Sequence, residues 1–295
     1  MYVNLKINFF NAYVQVIFVF YKNKSLRTIT NYFILSLAIA DLLVGFFAIP
    51  FLTFSLVTSS LWPVSYLSCD IFQALYLFSI KTSVFNLLLM AFDRYASIVR
   101  PFLSRVYKTK SNTLVVIALS WILSFICNFG LVLGYEQHNG LRDQFESHVF
   151  CHVQYTEDVN LSFIIICFGY FVPVLVMCVL YILIWKHVSK RRQRMSSIKE
   201  GQVLDLSTKR KDVKMKTQKA TRTIAMIVLV FIVTCLPNTL MLSSFVFTRK
   251  INLELSSMYK VGQILQCLNS TLNPLCYALG NPSFRKAIGT SIPGW

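Results

Sequence analysis

Three sets of ionisable side chains occur in stretches of the sequence that are otherwise apolar. Asp41 lies in the run Leu37-Ala-Ile-Ala-Asp41-Leu-Leu, and Lys81 and the pair Asp93-Arg94 lie further along the chain. A charge within a spanning helix is costly, so each of these residues suggests a function or a specific partner. The chemistry that they offer is ion binding and reversible ion pairing.

Asp41 can share a polar site with Ser83 in the third predicted helix and with Asn269, Ser270 and Asn273 in the seventh. Carboxylate, hydroxyl and amide oxygens together suit a small hard cation, and sodium is the cofactor that they predict. The alternative is a protonated Asp41 whose hydrogen bonds only join helices. The residue types leave both interpretations open.

The run Asp93-Arg94-Tyr95 closes the third predicted helix. An adjacent acid and base at that depth can be interfacial side chains that reach toward water. The functional interpretation is a polar latch that opens to expose a site for a cytoplasmic partner.

Lys81 lies within the third predicted helix, about three turns before Arg94, and is too deep to reach water easily. It can pair with a ligand that carries a carboxylate, or with a carbonyl or hydroxyl group of a neighbouring helix. We favour the structural pairing. No nucleophile–base pair, metal-ligand cluster or phosphate-binding glycine loop can be read from the sequence, which argues against an enzyme.

Composition indicates that these charges are held in a membrane protein. The 295 residues are 55% hydrophobic and 14% charged, whereas about a quarter of a soluble domain is charged. Apolar runs of about 20 residues match the hydrocarbon thickness of a bilayer. We therefore predict an all-α membrane protein, a seven-transmembrane helix bundle over residues 1–290 with a short amphipathic eighth helix at 281–289. The spanning helices are predicted at about 2–22, 29–57, 66–98, 112–134, 159–187, 216–247 and 255–279.

The net charge of +17 is distributed unevenly. Most Lys and Arg residues lie in every second connection between apolar runs, above all in the segment 188–215, which we expect to be a mobile basic cytoplasmic loop. The positive-inside rule then places the N-terminus outside in a multi-pass protein of the plasma membrane. A nucleic-acid partner does not explain this alternation. Two of the eight cysteines, Cys69 and Cys151, fall at the outer side, where a disulfide between them is expected.

Motifs of one receptor family occur in order along the chain. They are Asn31, Leu37-Ala-x-Ala-Asp41, Trp62, Cys69, Asp93-Arg94-Tyr95 with Pro101, Trp121, Pro173 with Tyr181, Phe231 with Pro237, and Asn273-Pro-Leu-Cys-Tyr277. The sequence resembles the rhodopsin-like G-protein-coupled receptors over about residues 11–290. Within that family the stretches around Ser83–Tyr95, Pro173–Tyr181 and Asn269–Leu279 look most like the muscarinic acetylcholine receptors.

The resemblance implies a switch for a heterotrimeric G protein. Its residues are Asp93, Arg94, Tyr95, Pro101, Phe102, Tyr181, Asn273, Pro274 and Tyr277, with a hinge in the sixth helix at Phe231, Cys235 and Pro237. In the resting form of this family an acid can hold the arginine, but position 217 here is Thr, so we expect basal activity.

The ligand half departs from the amine-receptor pattern. The carboxylate that binds an ammonium is replaced by Tyr76, and the aromatic cage is absent from the matching positions. Acetylcholine is therefore disfavoured, and the ligand is an extracellular small molecule or peptide of unknown identity. The pocket positions are Tyr76, Leu77, Ile80, Lys81, Asn238, Thr239, Gln263 and Cys267. The alternative function is a non-signalling decoy or partner receptor of the same family, as Cys235 in place of the usual Trp suggests.

Overall fold

The computed structural model describes residues 13–58, 61–62, 66–136, 149–150, 163–164, 166–196, 225–244 and 253–280. Within these ranges nearly all of the chain is helical, and five helices are long and apolar enough to cross a bilayer. The apolar helices, in chain order, are α1 (Tyr13–Lys22), α2 (Ile29–Val57), α3 (Tyr66–Val99), α4 (Lys110–Glu136), α5 (Cys167–Ser196), α6 (Ala225–Ser244) and α7 (Leu253–Gly280).

The helix ends follow local sequence signals. The Thr109 hydroxyl accepts a hydrogen bond from the Asn112 backbone N–H at 3.1 Å, which caps the start of α4. A short helix, Pro101–Tyr107, precedes it and has proline in its first turn, where the missing N–H costs nothing. α5 continues to Ser196, nine residues beyond the predicted end at 187, because this segment is rich in Lys, Arg, Gln and Met, which are good helix formers. Residues 188–196 of the predicted mobile loop are therefore helical.

Two helices contain a π-helical turn just before a proline. Val44–Ala48 lies two residues before Pro50 in α2, and Cys167–Phe171 lies two residues before Pro173 in α5. Proline lacks an N–H and crowds the carbonyl four residues earlier, and a wider turn accommodates that distortion. In α5 this turn carries Gly169, which lies against α3.

α3 lies at the centre of the described bundle and packs against α2, α4 and α5. The Trp121 indole N–H of α4 donates a hydrogen bond to the Ser36 hydroxyl of α2 at 2.9 Å. The Phe78 ring of α3 makes edge contacts with Trp121 and Phe125. By contrast, the outer faces of α4, α5 and α6 expose large apolar side chains such as Leu119, Leu175 and Val233, as lipid contact requires.

One end of the bundle, which we call the strand end, carries a short antiparallel pairing of β1 (Leu61–Trp62) with β2 (Val149–Phe150). Cys69, in the first turn of α3 that the strands adjoin, is disulfide-bonded. Its predicted partner Cys151 follows β2 directly and lies outside the described residues, as do 197–215 and the predicted amphipathic helix at 281–289.

The close approach of α7 to α6 at Gly262 suggests a stability test. A Cβ built on Gly262 of α7 would lie 2.9 Å from the Asn238 Cα of α6, a backbone atom that cannot rotate away. We expect Gly262→Ala to lower the free energy of unfolding by about 1 kcal/mol, despite the better helix propensity of alanine. Thermal unfolding of the purified protein measures this, with the neighbouring exposed Val261→Ala as control. An unchanged midpoint in Gly262→Ala would contradict the close packing.

Candidate functional site

Asp41 is fully buried in α2, and its two carboxylate oxygens accept hydrogen bonds from three other helices. Oδ1 accepts from the Ser83 hydroxyl of α3 at 3.2 Å and from the Ser270 hydroxyl of α7 at 2.9 Å. Oδ2 accepts from the Tyr13 hydroxyl of α1 at 3.0 Å and from the Asn273 amide of α7 at 2.8 Å. We call these five residues the carboxylate cluster. Its four donors match the roughly four lone-pair positions of an ionised carboxylate.

The structure brings together Asp41, Ser83, Ser270 and Asn273 from the set that the sequence predicted. Asn269 is also buried on α7 but provides none of the four hydrogen bonds. Tyr13 was missed as a donor, since a tyrosine within an apolar run does not reveal its partner. Its hydroxyl also lies against the backbone carbonyl of Ser270, which ties α1 to α7.

The predicted sodium ion can be tested against the donor set. Hard cations prefer oxygen ligands, and the cluster offers a carboxylate and the hydroxyl groups of Tyr13, Ser83 and Ser270. The amide oxygens of Asn269 and Asn273 are buried without a hydrogen-bond donor. These oxygens fit a small cation, which would replace some of the hydrogen bonds to Asp41 and would also satisfy the two amide oxygens on α7.

A second charged cluster surrounds Arg94 at the other end of α3. The Arg94 guanidinium and Asp93 Oδ2 are 3.0 Å apart, and the Lys108 ammonium is 2.6 Å from Asp93 Oδ1. The Thr30 hydroxyl of α2 donates to Asp93 Oδ2 at 3.0 Å and lies against the Arg94 guanidinium, while Lys108 also donates to the Ser97 hydroxyl at 2.9 Å. We call these five residues the Arg94 cluster. Both charges of the Asp93-Arg94 pair are buried.

Sequence analysis missed Thr30 and Lys108 in this cluster. Lys108 was counted only among the basic loop residues, and nothing in its spacing indicates that the short helix Pro101–Tyr107 turns it back toward Asp93. Near the pair, Arg94 Nε and the buried Tyr181 hydroxyl of α5 have no hydrogen-bond partner among the described residues. Arg94 therefore retains an unused donor in this arrangement.

The predicted G-protein contacts Pro101 and Phe102 line an open cleft beside the Arg94 cluster. Leu103, His187 and Lys190 complete its wall, and the Phe102 side chain is 82% exposed. Tyr95 is half-buried against the core. Pro274 and Tyr277 belong to α7, but their side chains lie outside the described part of the structure.

Nearer the strand end, a buried amide network joins four helices. Gln266 Oε1 of α7 accepts from the Tyr76 hydroxyl of α3 at 3.2 Å and from the Asn238 amide of α6 at 2.7 Å. Gln266 Nε2 donates to the Tyr170 hydroxyl of α5 at 2.8 Å. Tyr76 and Asn238 were predicted pocket residues, whereas Gln266 and Tyr170 were missed because an isolated Gln or Tyr in a helix carries no positional signal.

The other predicted pocket residues lie around this network. Ile80, Gln263 and Cys267 are buried, Leu77 is half-buried, and the Thr239 hydroxyl donates to the Cys235 carbonyl at 3.0 Å. A narrow apolar cleft between α5 and α6 is lined by residues of the predicted hinge and its neighbours, including Tyr170, Val174, Phe231, Cys235 and Thr239. Pro237 lies on α6 between Cys235 and Thr239 of this lining.

Lys81 differs from the other buried charges. Its side chain is buried, and its ammonium has no hydrogen-bond or ionic partner among the residues that the structure describes. The structural pairing that we favoured from the sequence is therefore absent from the described contacts. Its neighbours are Gly169 of α5 and the Cys127 thiol of α4.

Comparisons with known proteins agree with this architecture. The family model of the 7 transmembrane receptor (rhodopsin family) matches residues 13–277. The chain is 32% identical to the muscarinic acetylcholine receptor M3 of Sus scrofa over 185 residues, which are 63% of this chain and 31% of that receptor. It is also 32% identical to the muscarinic acetylcholine receptor M5 of Homo sapiens over 198 residues, 67% of this chain and 37% of that receptor.

This chain therefore belongs to the rhodopsin family of seven-transmembrane receptors, and its fold is the seven-helix bundle of that family. The predicted resemblance, including the likeness to muscarinic receptors, is confirmed. The family is one of membrane receptors, and the matched segments span about a third of the length of these relatives.

The carboxylate cluster gives a direct test on α1. Replacing Tyr13 with Phe removes one donor to Asp41 and leaves the ring in place. Hydrogen bonds inside membrane bundles average roughly 0.6 kcal/mol, and bonds to charged acceptors are stronger, so we expect a loss of about 1 kcal/mol in unfolding free energy. The exposed Tyr21→Phe on the same helix is the matched control. Equal unfolding midpoints for Tyr13→Phe and the unmodified receptor would show that α1 is not held by this bond.

Proposed function

We propose that this receptor carries the signal of an extracellular ligand across the plasma membrane to a heterotrimeric G protein. Family membership supports a receptor, and the Arg94 cluster is the observation that supports the switch. A buried ion pair is held beside an open cleft, and the pair has an alternative partner close by in Tyr181. In this proposal the strand end faces outward and the cleft faces the cytoplasm, as the positive-inside rule predicts.

In the resting form Arg94 is held by polar contacts that other partners can replace. Asp93 is shared between Arg94, Lys108 and Thr30, so releasing the arginine leaves the carboxylate with two partners. The carboxylate is thus not left as an unpaired buried charge, which would otherwise cost several kcal/mol. Arg94 then turns toward the Tyr181 hydroxyl and toward Tyr277 at the base of the bundle. Lys108 thereby lowers the cost of opening the latch.

Helix α6 is the element that we propose to move. Ligand binding biases the bundle toward a form in which α6 has swung outward about Pro237. The polar contact of Asn238 with Gln266 lies on the strand side of that proline, whereas Ile227, Val228 and Phe231 on the other side make apolar contacts. Apolar contacts are not directional, so the cleft-side half can move while the strand-side half stays hydrogen-bonded.

Sodium at Asp41 would favour the resting form in this scheme. The ion would be held by Asp41, Ser83, Ser270 and the amide oxygens of α7, and would supply positive charge beside the buried carboxylate. In the absence of an ion, Tyr13, Ser83, Ser270 and Asn273 hold α1, α3 and α7 around Asp41 by direct hydrogen bonds.

Acetylcholine, which the muscarinic relatives are named for, is not the ligand that this pocket favours. Tyr76 stands where amine receptors carry a carboxylate, and its hydroxyl is hydrogen-bonded to Gln266. Asn238, which stands where a cage tyrosine would be, donates to the same amide oxygen. These two positions therefore carry neither the carboxylate nor the cage tyrosine that attracts an ammonium ligand.

The proposed coupling predicts basal activity that depends on Arg94. Position 217 is Thr, so Arg94 has no acid there to hold it in the resting form. Cells that express the receptor should show second-messenger output above an empty-vector control, and Arg94→Ala should abolish the excess. Arg27→Ala, an exposed arginine between α1 and α2, is the matched control and should retain it.

Surface labelling measures how much of each variant reaches the plasma membrane. Output equal to the empty vector, at surface levels that match a signalling reference receptor, would contradict the proposal and favour a non-signalling partner receptor. Basal output that Arg94→Ala leaves unchanged would contradict the role of the Arg94 cluster.

A further inference from the structure

Lys81 is a buried cation without a counter-charge in the described structure. Its side chain is only 4% exposed. An ammonium group removed from water costs several kcal/mol unless it is paired or hydrogen-bonded. A charged residue in that position inside a membrane bundle indicates a partner that completes the site.

The helical position of Lys81 directs it away from the carboxylate cluster. Ser83, which donates to Asp41, is two residues further along α3, and two residues correspond to a rotation of roughly 200°. Lys81 therefore faces α4 and α5, where Cys127 and Gly169 lie near its ammonium end. Asp41 lies on the other side of α3, where it accepts four hydrogen bonds, and it is not the missing counter-ion.

The remaining buried acids of the described chain are also distant. Asp93 is twelve residues along α3, about 18 Å at the helical rise, and is paired with Arg94 and Lys108. Asp70 is eleven residues away in the other direction, about 16 Å along the same helix. Neither reaches an ammonium that points sideways between α4 and α5.

Gly169 makes the space that the ammonium occupies. A Cβ at this position would lie 3.1 Å from Lys81 Cε and 3.5 Å from Nζ. A residue other than glycine at position 169, in the π-helical turn Cys167–Phe171, would press on the end of the Lys81 side chain. The turn and the glycine together form a recess on α5 around a single positive charge.

We propose that Lys81 and the Gly169 recess form a binding site for the carboxylate of a ligand. One ammonium balances one negative charge and offers three N–H donors, which suits a monocarboxylate. A doubly charged phosphate would leave excess charge in a medium of low dielectric constant, so it fits this site less well. This inference rests on the proposed receptor function and names the class of its ligand.

The carboxylate can arrive from water or from the bilayer. The amide network and Ile80 lie on the pocket side of α3, which leads toward the strand end. Phe168, next to Gly169, is 65% exposed on the outer face of α5, where lipid chains lie. A water-soluble carboxylate and a fatty-acid carboxylate share the same chemistry at Lys81, so the experiment separates the two sources.

The test measures binding rather than signalling. The full chain, purified into phosphatidylcholine nanodiscs, is heated with acetate, butyrate or decanoate at millimolar concentration, with decanoate methyl ester and choline as uncharged and cationic probes. A carboxylate should raise the unfolding midpoint of the unmodified receptor and of Lys22→Met, an exposed lysine of α1. A shift with acetate or butyrate indicates a soluble ligand, and a shift with decanoate alone indicates a ligand from the bilayer.

Two variants test whether the carboxylate binds at Lys81. Lys81→Met should abolish the shift, and its midpoint without ligand should be equal or higher because a buried charge has been removed. Gly169→Ala keeps the charge but narrows the recess, so the carboxylate should bind about tenfold more weakly. It also provides the test if Lys81→Met is not expressed at the membrane.

Three results would overturn the proposal. The first is a shift that persists in Lys81→Met or is unaffected in Gly169→Ala. The second is the absence of any shift that requires the carboxylate charge. The third is a lower midpoint of Lys81→Met without ligand, which would show that the lysine stabilises the fold through a partner of its own. None of these results depends on G-protein coupling, so basal activity can still be present when this proposal fails.

Discussion

The four hydrogen bonds to the buried carboxylate of Asp41 are the interaction on which the bundle depends. Helices in a membrane gain little from burying apolar surface, because lipid chains are as apolar as the neighbouring helix. Directional polar contacts must therefore fix which helices meet and at what depth. Asp41 of α2 does this for three partners at once, since its donors come from α1, α3 and α7.

The two polar clusters fix the register of α2 against α3. Asp41 meets Ser83, and Thr30 meets Asp93, so the contacts are separated by eleven residues on α2 and ten on α3. At 1.5 Å per residue these spacings are about 16 Å along α2 and about 15 Å along α3. Because the two distances are nearly equal, both contacts can form between the two antiparallel helices. α6 takes part in neither cluster within the described chain. This division into a fixed pair and a less constrained helix is the mechanical basis of the proposed switch.

Much of the architecture could be predicted from the sequence, because apolar run length and bilayer thickness constrain the helices directly. Asp41 could be assigned to Ser83, Ser270 and Asn273, since a carboxylate in an apolar helix must find donors and these were the polar side chains at its depth. Tyr13 could not be assigned, because a tyrosine in an apolar run does not indicate which buried acceptor its hydroxyl reaches. The same holds for Lys108, whose contact with Asp93 depends on the turn before α4, and for Gln266, whose partners come from three helices. A structural partner for Lys81 was expected but is absent from the described contacts. The spacing of residues along α3 does not reveal which groups of the neighbouring helices pack against Lys81.

The claim that Asp41 holds the bundle through charged hydrogen bonds is tested most directly by a double-mutant cycle on α2 and α7. The free energy of unfolding is measured for the unmodified receptor, Asp41→Asn, Ser270→Ala and the double variant. The account predicts that Ser270→Ala is costly only when the carboxylate is present, with a coupling energy of about 1 kcal/mol. Additive effects, with Ser270→Ala equally costly in both backgrounds, would contradict it.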